Sequence, residues 1–392
     1  MDEVESELFD AIDRVTPVLM EQAAEDDAGR TLSARTVEAL RETRVSMLKA
    51  PAEVGGYDAD PMSQVRVLEK IAYANPAAGW VAFVHADAGW IAGSGVSDEA
   101  AKVIFASEPV MAGIGMPGGA VRRVDGGYRL SGRWAYGSGS RHADFVVLHA
   151  LDDVSGQPGG SEPTDFLQVK TRWTVIPARD ITFIDNWYAA HLPGTGSGDL
   201  EVDDAFVPEG YSFPAQGLRW EVQRGGVSHH LPMQVNIAPE HLGFALGLAR
   251  RALDEARTAS TRRRILPGSP VLADRGAFQL EFGRADLELL AVRELSLAVL
   301  EQIWTIASAG AELDAATVAK SAATVSYVTQ VCCDLALRVH RYLGSKVTLP
   351  LEQPIQRVVR DLIGATQHIA TDGRFIEEYA RHVLKGESVP AK

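Results

Sequence analysis

The chain has 392 residues, 46% of them hydrophobic, with 38 Lys and Arg against 52 Asp and Glu, a formal charge of −14. Single cores stop growing near ~250–300 residues, so two or three domains are expected, and the acidic balance argues against a dedicated nucleic-acid or anionic-membrane surface. No apolar run approaches the ~18–20 residues of a membrane span, the start MDEVESELFDAIDRV has no secretory pattern, and the adjacent Cys332 and Cys333 cannot build a zinc site or a disulfide framework. An acidic, cytoplasmic, multidomain protein follows.

In chain order, Leu8, Phe9, Ile12, Val15 and Leu19 form one stripe of an amphipathic helix. Helical patterns recur over Thr36–Met47, Pro61–Tyr73 and Ala77–Ile91, the last apolar all round and so buried, and Ser97-Asp98-Glu99 reads as a cap and first turn. The texture changes near Glu108. Residues up to about Phe213 are rich in Gly, Pro and aromatics. Asp125–Tyr128 is a turn between strands, and Phe145–Leu148, Asp165–Val169, Trp173–Ile176 and Leu200–Val207 read as strands, with a surface loop over Leu151–Thr164. Long periodic helices follow over Leu242–Ala259, Ala277–Ala309 and Ala315–Leu343, then Ile355–His368 and Phe375–Leu384, as in an antiparallel bundle. The layout is mainly α with a central β domain: residues 1–108 helical, 109–225 a small β barrel or sandwich, 226–392 a helical bundle.

Several motifs are informative by their context. Gly113–Gly118 spells G-x-G-x-x-G, but a strand and turn follow it instead of the helix that a dinucleotide site needs. There is no HExxH and no carboxylate–His cluster at ligand spacing, so no metal is expected, and no G-x-S-x-G elbow is present. Arg262-Arg263-Arg264 either complements a helix C-terminus or clamps phosphate. Gly132–Phe145 packs aromatics and hydroxyls into a strand and its turn, and Pro193–Asp199 is a Gly/Ser/Thr loop before a strand. Each is either an ordinary turn or a surface for a planar heteroaromatic ring.

Taken together, six segments in register resemble the acyl-CoA dehydrogenase superfamily. They are APAEVGG near residue 50, ANPAAGWVAFVH at 74–85, DGGYRLSGRWAYGSGSRHADF at 125–145, PGTGSGDLEVDDAFVPE at 193–209, GLARRALDEA at 247–256 and EQPIQRVVRDLIGATQHIATD at 352–372. The match is closest to the branch of two-component flavin-dependent monooxygenases that includes the p-hydroxyphenylacetate hydroxylase oxygenase and dibenzothiophene monooxygenase. The resemblance implies an acyl-CoA dehydrogenase-like fold (helical N-domain, β-barrel middle, C-terminal four-helix bundle) in a homotetramer. It also implies the activity: one oxygen from O₂ enters a small organic substrate through a flavin C4a-hydroperoxide, using reduced FMN or FAD from a separate flavin reductase.

The resemblance places site residues as well. Ser138 matches the hydroxyl beside flavin N5 and Tyr136 the flanking aromatic. Gly115 and Met116 match the first flavin loop, and Thr195, Gly196 and Ser197 the second. Arg263 matches an Arg reaching the flavin phosphates of a neighbouring subunit. His368 is implied as acid/base, oriented by Asp372 one helical turn on, with His85 and Trp134 toward the substrate. A dehydrogenase of this superfamily needs a carboxylate to take the α-proton. The two family positions for it hold Ile369 and Ile237 here, with Glu240 the nearby alternative. The competing readings are therefore a dehydrogenase-like FAD oxidoreductase using Glu240, or a non-catalytic flavin-fold binding protein. Two departures stand out: Ala88 occupies the position of a phenol-deprotonating His, and Pro193 that of an Arg.

Overall fold

The computed structural model describes residues 3–152, 169–264, 266–350 and 352–386. Five helices come first: α1 (Glu3–Gly29), α2 (Ala34–Thr43), α3 (Pro61–Ala74), α4 (Pro76–Gly95) and α5 (Asp98–Ile104). Their starts are written in the sequence. Asp60 accepts from the backbone N–H of Met62 and Ser63 ahead of Pro61, Asn75 accepts from Ala78 ahead of Pro76, and Ser97 accepts from Ala100. Each pairs a side-chain cap with the preorganised first turn that Pro or an acidic residue favours.

Among the described residues nine strands follow: β1 (Met111–Ile114), β2 (Gly119–Val124), β3 (Gly127–Trp134), β4 (Phe145–Asp152), β5 (Lys170–Pro177), β6 (Thr182–Ile184), β7 (Asp199–Pro208), β8 (Ser212–Gln216) and β9 (Arg219–Trp220). They form one sheet in the order β6-β7-β3-β2-β4-β5-β8-β9, with β1 parallel to the first half of β4. The turn expected at Asp125–Tyr128 joins β2 to β3 as an antiparallel hairpin. The sheet curls over a core of Val121, Leu130, Trp134, Leu148, Ile176 and Val202, and among the described strands no pair closes it into a barrel. The strand expected at Asp165–Val169 and most of the loop before it lie outside the described residues.

Helices return as α6 (Met233–Asn236), α7 (Ala238–Ser260), α8 (Gly276–Ser308), α9 (Ala315–Leu343), α10 (Ser345–Thr348), α11 (Pro354–Ala365) and α12 (Arg374–Leu384). This is the acyl-CoA dehydrogenase-like arrangement that the sequence texture and motifs point to. No helix among the described residues is long and apolar enough to cross a membrane. The helix expected to run through His368 stops at Ala365. There the Thr371 hydroxyl donates to the Ala365 and His368 carbonyls, and a short 3₁₀ turn (Ile369–Thr371) replaces the last helical turn.

The position of α4 sets up the site. It is buried along almost its whole length, with Ala88, Trp90 and Ile91 in the core shared with β1, β4 and β5, and Ala78, Val81 and Ala86 in the core shared with the bundle. The bundle reaches it because α3 and α7 cross closely. A Cβ at Gly243 would sit 2.5 Å from the Val65 carbonyl oxygen, a backbone atom that cannot swing away. Gly243→Ala is accordingly expected to lower stability by ~1–3 kcal/mol, the usual penalty of overpacking, as a shifted denaturant midpoint. An unchanged midpoint would show that the crossing is looser than described.

Candidate functional site

Two loops meet where the sheet faces the bundle. After β3 the chain turns sharply, with Tyr136 at φ 66° and Gly139 at φ 68°. For Tyr136 this left-handed conformation is strained, a feature that marks over-determined sites. The turn is zipped to the loop before β7 by Gly137 N–H to the Gly198 carbonyl and Gly139 N–H to the Thr195 carbonyl, both 3.0 Å. Ser138 is buried between them. Its Oγ lies 2.6 Å from Ser197 Oγ, which lies 2.6 Å from Thr195 Oγ1, and Thr195 donates to the Leu192 carbonyl at 2.8 Å. Ser138, Thr195 and Ser197, far apart in sequence, thus form one hydrogen-bonded row, with Gly196 at φ 60° making the turn between the last two.

The row is anchored in the bundle. Asp361, fully buried on α11, accepts the Leu192 N–H at 2.7 Å, and His191 Nδ1–H donates to the Arg360 carbonyl at 2.7 Å. Arg360 grips Asp361 through Nε at 2.8 Å and reaches Asp27 of α1 at 2.7 Å. Burial, then the neighbouring Asp361, pushes the Asp27 carboxyl up to about 6. Leu192 itself has φ 50°, so this contact holds a second strained residue in place.

On the sheet side, the Gly115 carbonyl accepts from His149 Nδ1–H at 2.8 Å, and the His149 carbonyl accepts from Trp134 Nε1–H at 2.6 Å. Trp134 is therefore a core residue with its polar atom satisfied, not the substrate contact expected of it. Met116 and Tyr136, by contrast, are 56% and 70% exposed, and Tyr136 meets Trp187 edge-on at 6.1 Å. Nothing stands within 4 Å of where a Gly115 side chain would go. An open glycine beside exposed apolar side chains and a buried hydroxyl suits a planar ring with a polar edge.

The other wall comes from α4, α7 and the turn after α11. One flank of α4 supports the Ser138 loop: His85 Nε2 lies 3.4 Å from the Gly139 carbonyl, and burial drives its pKa down to about 4. His85 is thus a support under the loop. Ala88, one turn on, faces Gly113 of β1, so a base at that position would point into the sheet. On the other flank, Trp80 and Phe83 pack edge-on to His241, and Trp80 also to Phe244 and His368. The His241 and His368 rings are 4.6 Å apart.

His368 accepts the Ala370 N–H at Nδ1, 3.2 Å, so its neutral ring carries the proton on Nε2 and presents a donor there. Burial holds its pKa down to about 4. Asp372, expected to orient His368, instead accepts the Arg374 N–H and starts α12, a consequence of the helix ending early. His241, missed in the sequence, is buried with Nε2 unbonded, and burial, then His368, holds its pKa well down. Its only sequence signal was its place beside Glu240.

Glu240 has no exposed surface. It pairs with Lys49 at 3.1 Å, and Lys49 also holds Asp87 at 2.5 Å and the Asn236 carbonyl at 2.8 Å. Burial pushes the Glu240 carboxyl up. Arg263 lies past the far end of α7, roughly 30 Å along the axis from His241, its guanidinium packed against Gly344.

These imidazoles make stability depend on pH. For His85, His149, His241 and His368 the folded pKa lies below the unfolded value near ~6.5. Between that value and about 4 the unfolded chain binds more protons, so stability falls as pH falls. Glu240, Asp26, Asp27 and Asp87, shifted upward by burial, oppose this, against six imidazoles once His142 and His340 are added. Melting temperature is expected to drop from pH 7 to 5, with a shallower slope in His241→Phe. A flat or rising profile would contradict the neutral imidazoles.

The chain is similar to known proteins over most of its length. Residues 241–373 match the family described as acyl-CoA dehydrogenase, C-terminal domain. The chain is 27% identical over 379 residues to a pigment production hydroxylase of Rhodococcus sp. (strain ATCC 21145), covering 95% of this chain and 94% of that one. It is 33% identical over 199 residues to the flavin-dependent monooxygenase oxygenase subunit HsaA of Rhodococcus jostii (strain RHA1), covering 50% of this chain and 49% of that one. Among solved structures, XiaF from Streptomyces sp., in complex with FADH2 and glycerol, superposes with a TM-score of 0.85 at 23% identity, covering 100% of this chain and 98% of that one.

Proposed function

We propose that this chain belongs to the flavin-dependent monooxygenases built on the acyl-CoA dehydrogenase fold and works as the oxygenase component of a two-component system. It takes reduced FMN or FAD from a separate flavin reductase and acts on a small organic substrate. The observation that carries the reading is the buried, hydrogen-bonded Ser138–Ser197–Thr195 row, zipping the turn after β3 to the loop before β7 and anchored to the bundle through Leu192 and Asp361. We extend it to a cytoplasmic homotetramer in which Arg263, past the end of α7 and packed against Gly344, reaches the flavin phosphates of a neighbouring subunit.

Bound reduced flavin supplies the oxygen chemistry: it activates O₂ and delivers one atom to the substrate. The chain's own residues do the rest. Ser138 would hold the ring edge at N5, while Gly115 and Met116 would let the ring approach and Tyr136 would flank it. Trp80, Phe83 and Phe244 keep water away, which strengthens every hydrogen bond inside. His368 would offer its Nε2–H to an acceptor on the bound substrate. As a neutral ring it works as a hydrogen-bond donor across neutral pH, with no carboxylate partner at Asp372.

A dehydrogenase working through Glu240 is disfavoured by the same geometry. A base must reach the proton it takes, and Glu240 is enclosed, faces Lys49 and is pushed toward its protonated form. Ile237 and Ile369 cannot replace it.

Rapid mixing of the protein with reduced flavin and then O₂ tests the function. Oxidised flavin is expected to appear after a delay that free flavin does not show, and substrate should collect one oxygen atom from ¹⁸O₂. Ser138→Ala should shorten the delay roughly tenfold, the effect of losing one buried hydrogen bond. Oxidation as fast as in free solution would contradict the reading.

A further inference from the structure

The row of hydroxyls has a direction, and protons can be counted along it. The Leu192 carbonyl can only accept, and three donors converge on it: Trp187 Nε1–H at 3.0 Å, Thr195 N–H at 3.3 Å and the Thr195 hydroxyl at 2.8 Å. The single hydroxyl proton of Thr195 is thereby engaged. Ser197 Oγ, 2.6 Å from Thr195 Oγ1, must then be the donor of that pair, because two lone pairs do not approach so closely. With its own proton directed to Thr195, Ser197 can only accept from Ser138, again at 2.6 Å. Ser138 is left with lone pairs alone for whatever lies on its other side.

We infer that Thr195 and Ser197 are positioning residues that set Ser138 as a hydrogen-bond acceptor, so that the site selects reduced flavin over oxidised flavin. The inference rests on the flavin reading above. In the reduced ring N5 carries a proton and donates; in the oxidised ring N5 has a lone pair and can only accept. Ser138 in its present orientation completes a hydrogen bond to the first and faces the second lone pair to lone pair.

Serving oxidised N5 requires both serine protons to turn round. Thr195 must then either leave the Leu192 carbonyl or confront Ser197 without a proton between them. Either way one buried hydrogen bond is lost, a difference of roughly tenfold in affinity. Discarding spent flavin and accepting fresh reduced flavin is what an oxygenase without its own reductase must do at every turnover. Here three hydroxyls and a carbonyl supply that preference through the polarity of the row. Thr195 and Ser197 act through Ser138, in place of the direct flavin contacts expected from the sequence.

The test is the ratio of dissociation constants for oxidised and reduced flavin, the latter measured anaerobically, in the wild type, Thr195→Val, Thr195→Ser and Ser197→Ala. Valine keeps the shape of threonine and removes the proton that fixes the direction, so the ratio should fall roughly tenfold. Ser197→Ala should lower it as well, and Thr195→Ser, which keeps the hydroxyl, should preserve it. An unchanged ratio in Thr195→Val and Ser197→Ala overturns the inference and leaves the function intact. A fall in Thr195→Ser equal to that in Thr195→Val also overturns it, because loop shape and not proton direction would be responsible. Failure of the wild type to bind reduced flavin at all would instead overturn the function.

Discussion

The site depends on one buried carboxylate. Asp361 sits on α11 without exposed surface, is gripped by Arg360, and accepts the N–H of Leu192 in the loop before β7. Truncating such a group would leave Arg360 to Asp27 alone and strip the buried Leu192 N–H of its acceptor, which costs more than the contact itself contributes. Through it the bundle, α1 and the sheet loops are held as one unit. The Leu192 carbonyl then anchors Thr195, Thr195 anchors Ser197, and Ser197 orients Ser138. A rigid frame of this kind is what preorganisation means here, because the polar atoms are aimed before any ligand arrives.

Around that row the protein keeps its titratable groups neutral. His85, His241 and His368 are held unprotonated by burial, while Lys49 is committed to Asp87, Glu240 and the Asn236 carbonyl, and Arg360 to Asp361 and Asp27. The cluster of Trp80, Phe83, His241 and His368 is thus aromatic and uncharged.

Much of this was legible before any coordinates. The cap at Ser97-Asp98-Glu99 is local chemistry, so the start of α5 fell where expected, and α9 spans the residues its periodicity marks. Resemblance brought forward Ser138 and the Thr195–Ser197 loop. Other features depend on what a residue meets in space. Trp134 reads as a ligand platform in sequence, yet its N–H is taken by a carbonyl fifteen residues away. His368 and Asp372 share a face only if the helix continues, and Thr371 ends it. His241 lies on a helix whose pattern is that of core, and only the packing of Trp80 and Phe83 shows its neighbours. Direction along a row of hydroxyls needs every partner at once.

The claim that the frame fixes the polarity of Ser138 is tested most directly by neutron diffraction of the complex with reduced flavin. The account predicts the Ser138 hydroxyl deuteron on the side of Ser197, the Ser197 deuteron on the side of Thr195, and the flavin N5 deuteron directed at Ser138 Oγ. A Ser138 deuteron pointing at the ring, with Ser197 donating back to Ser138, would contradict it.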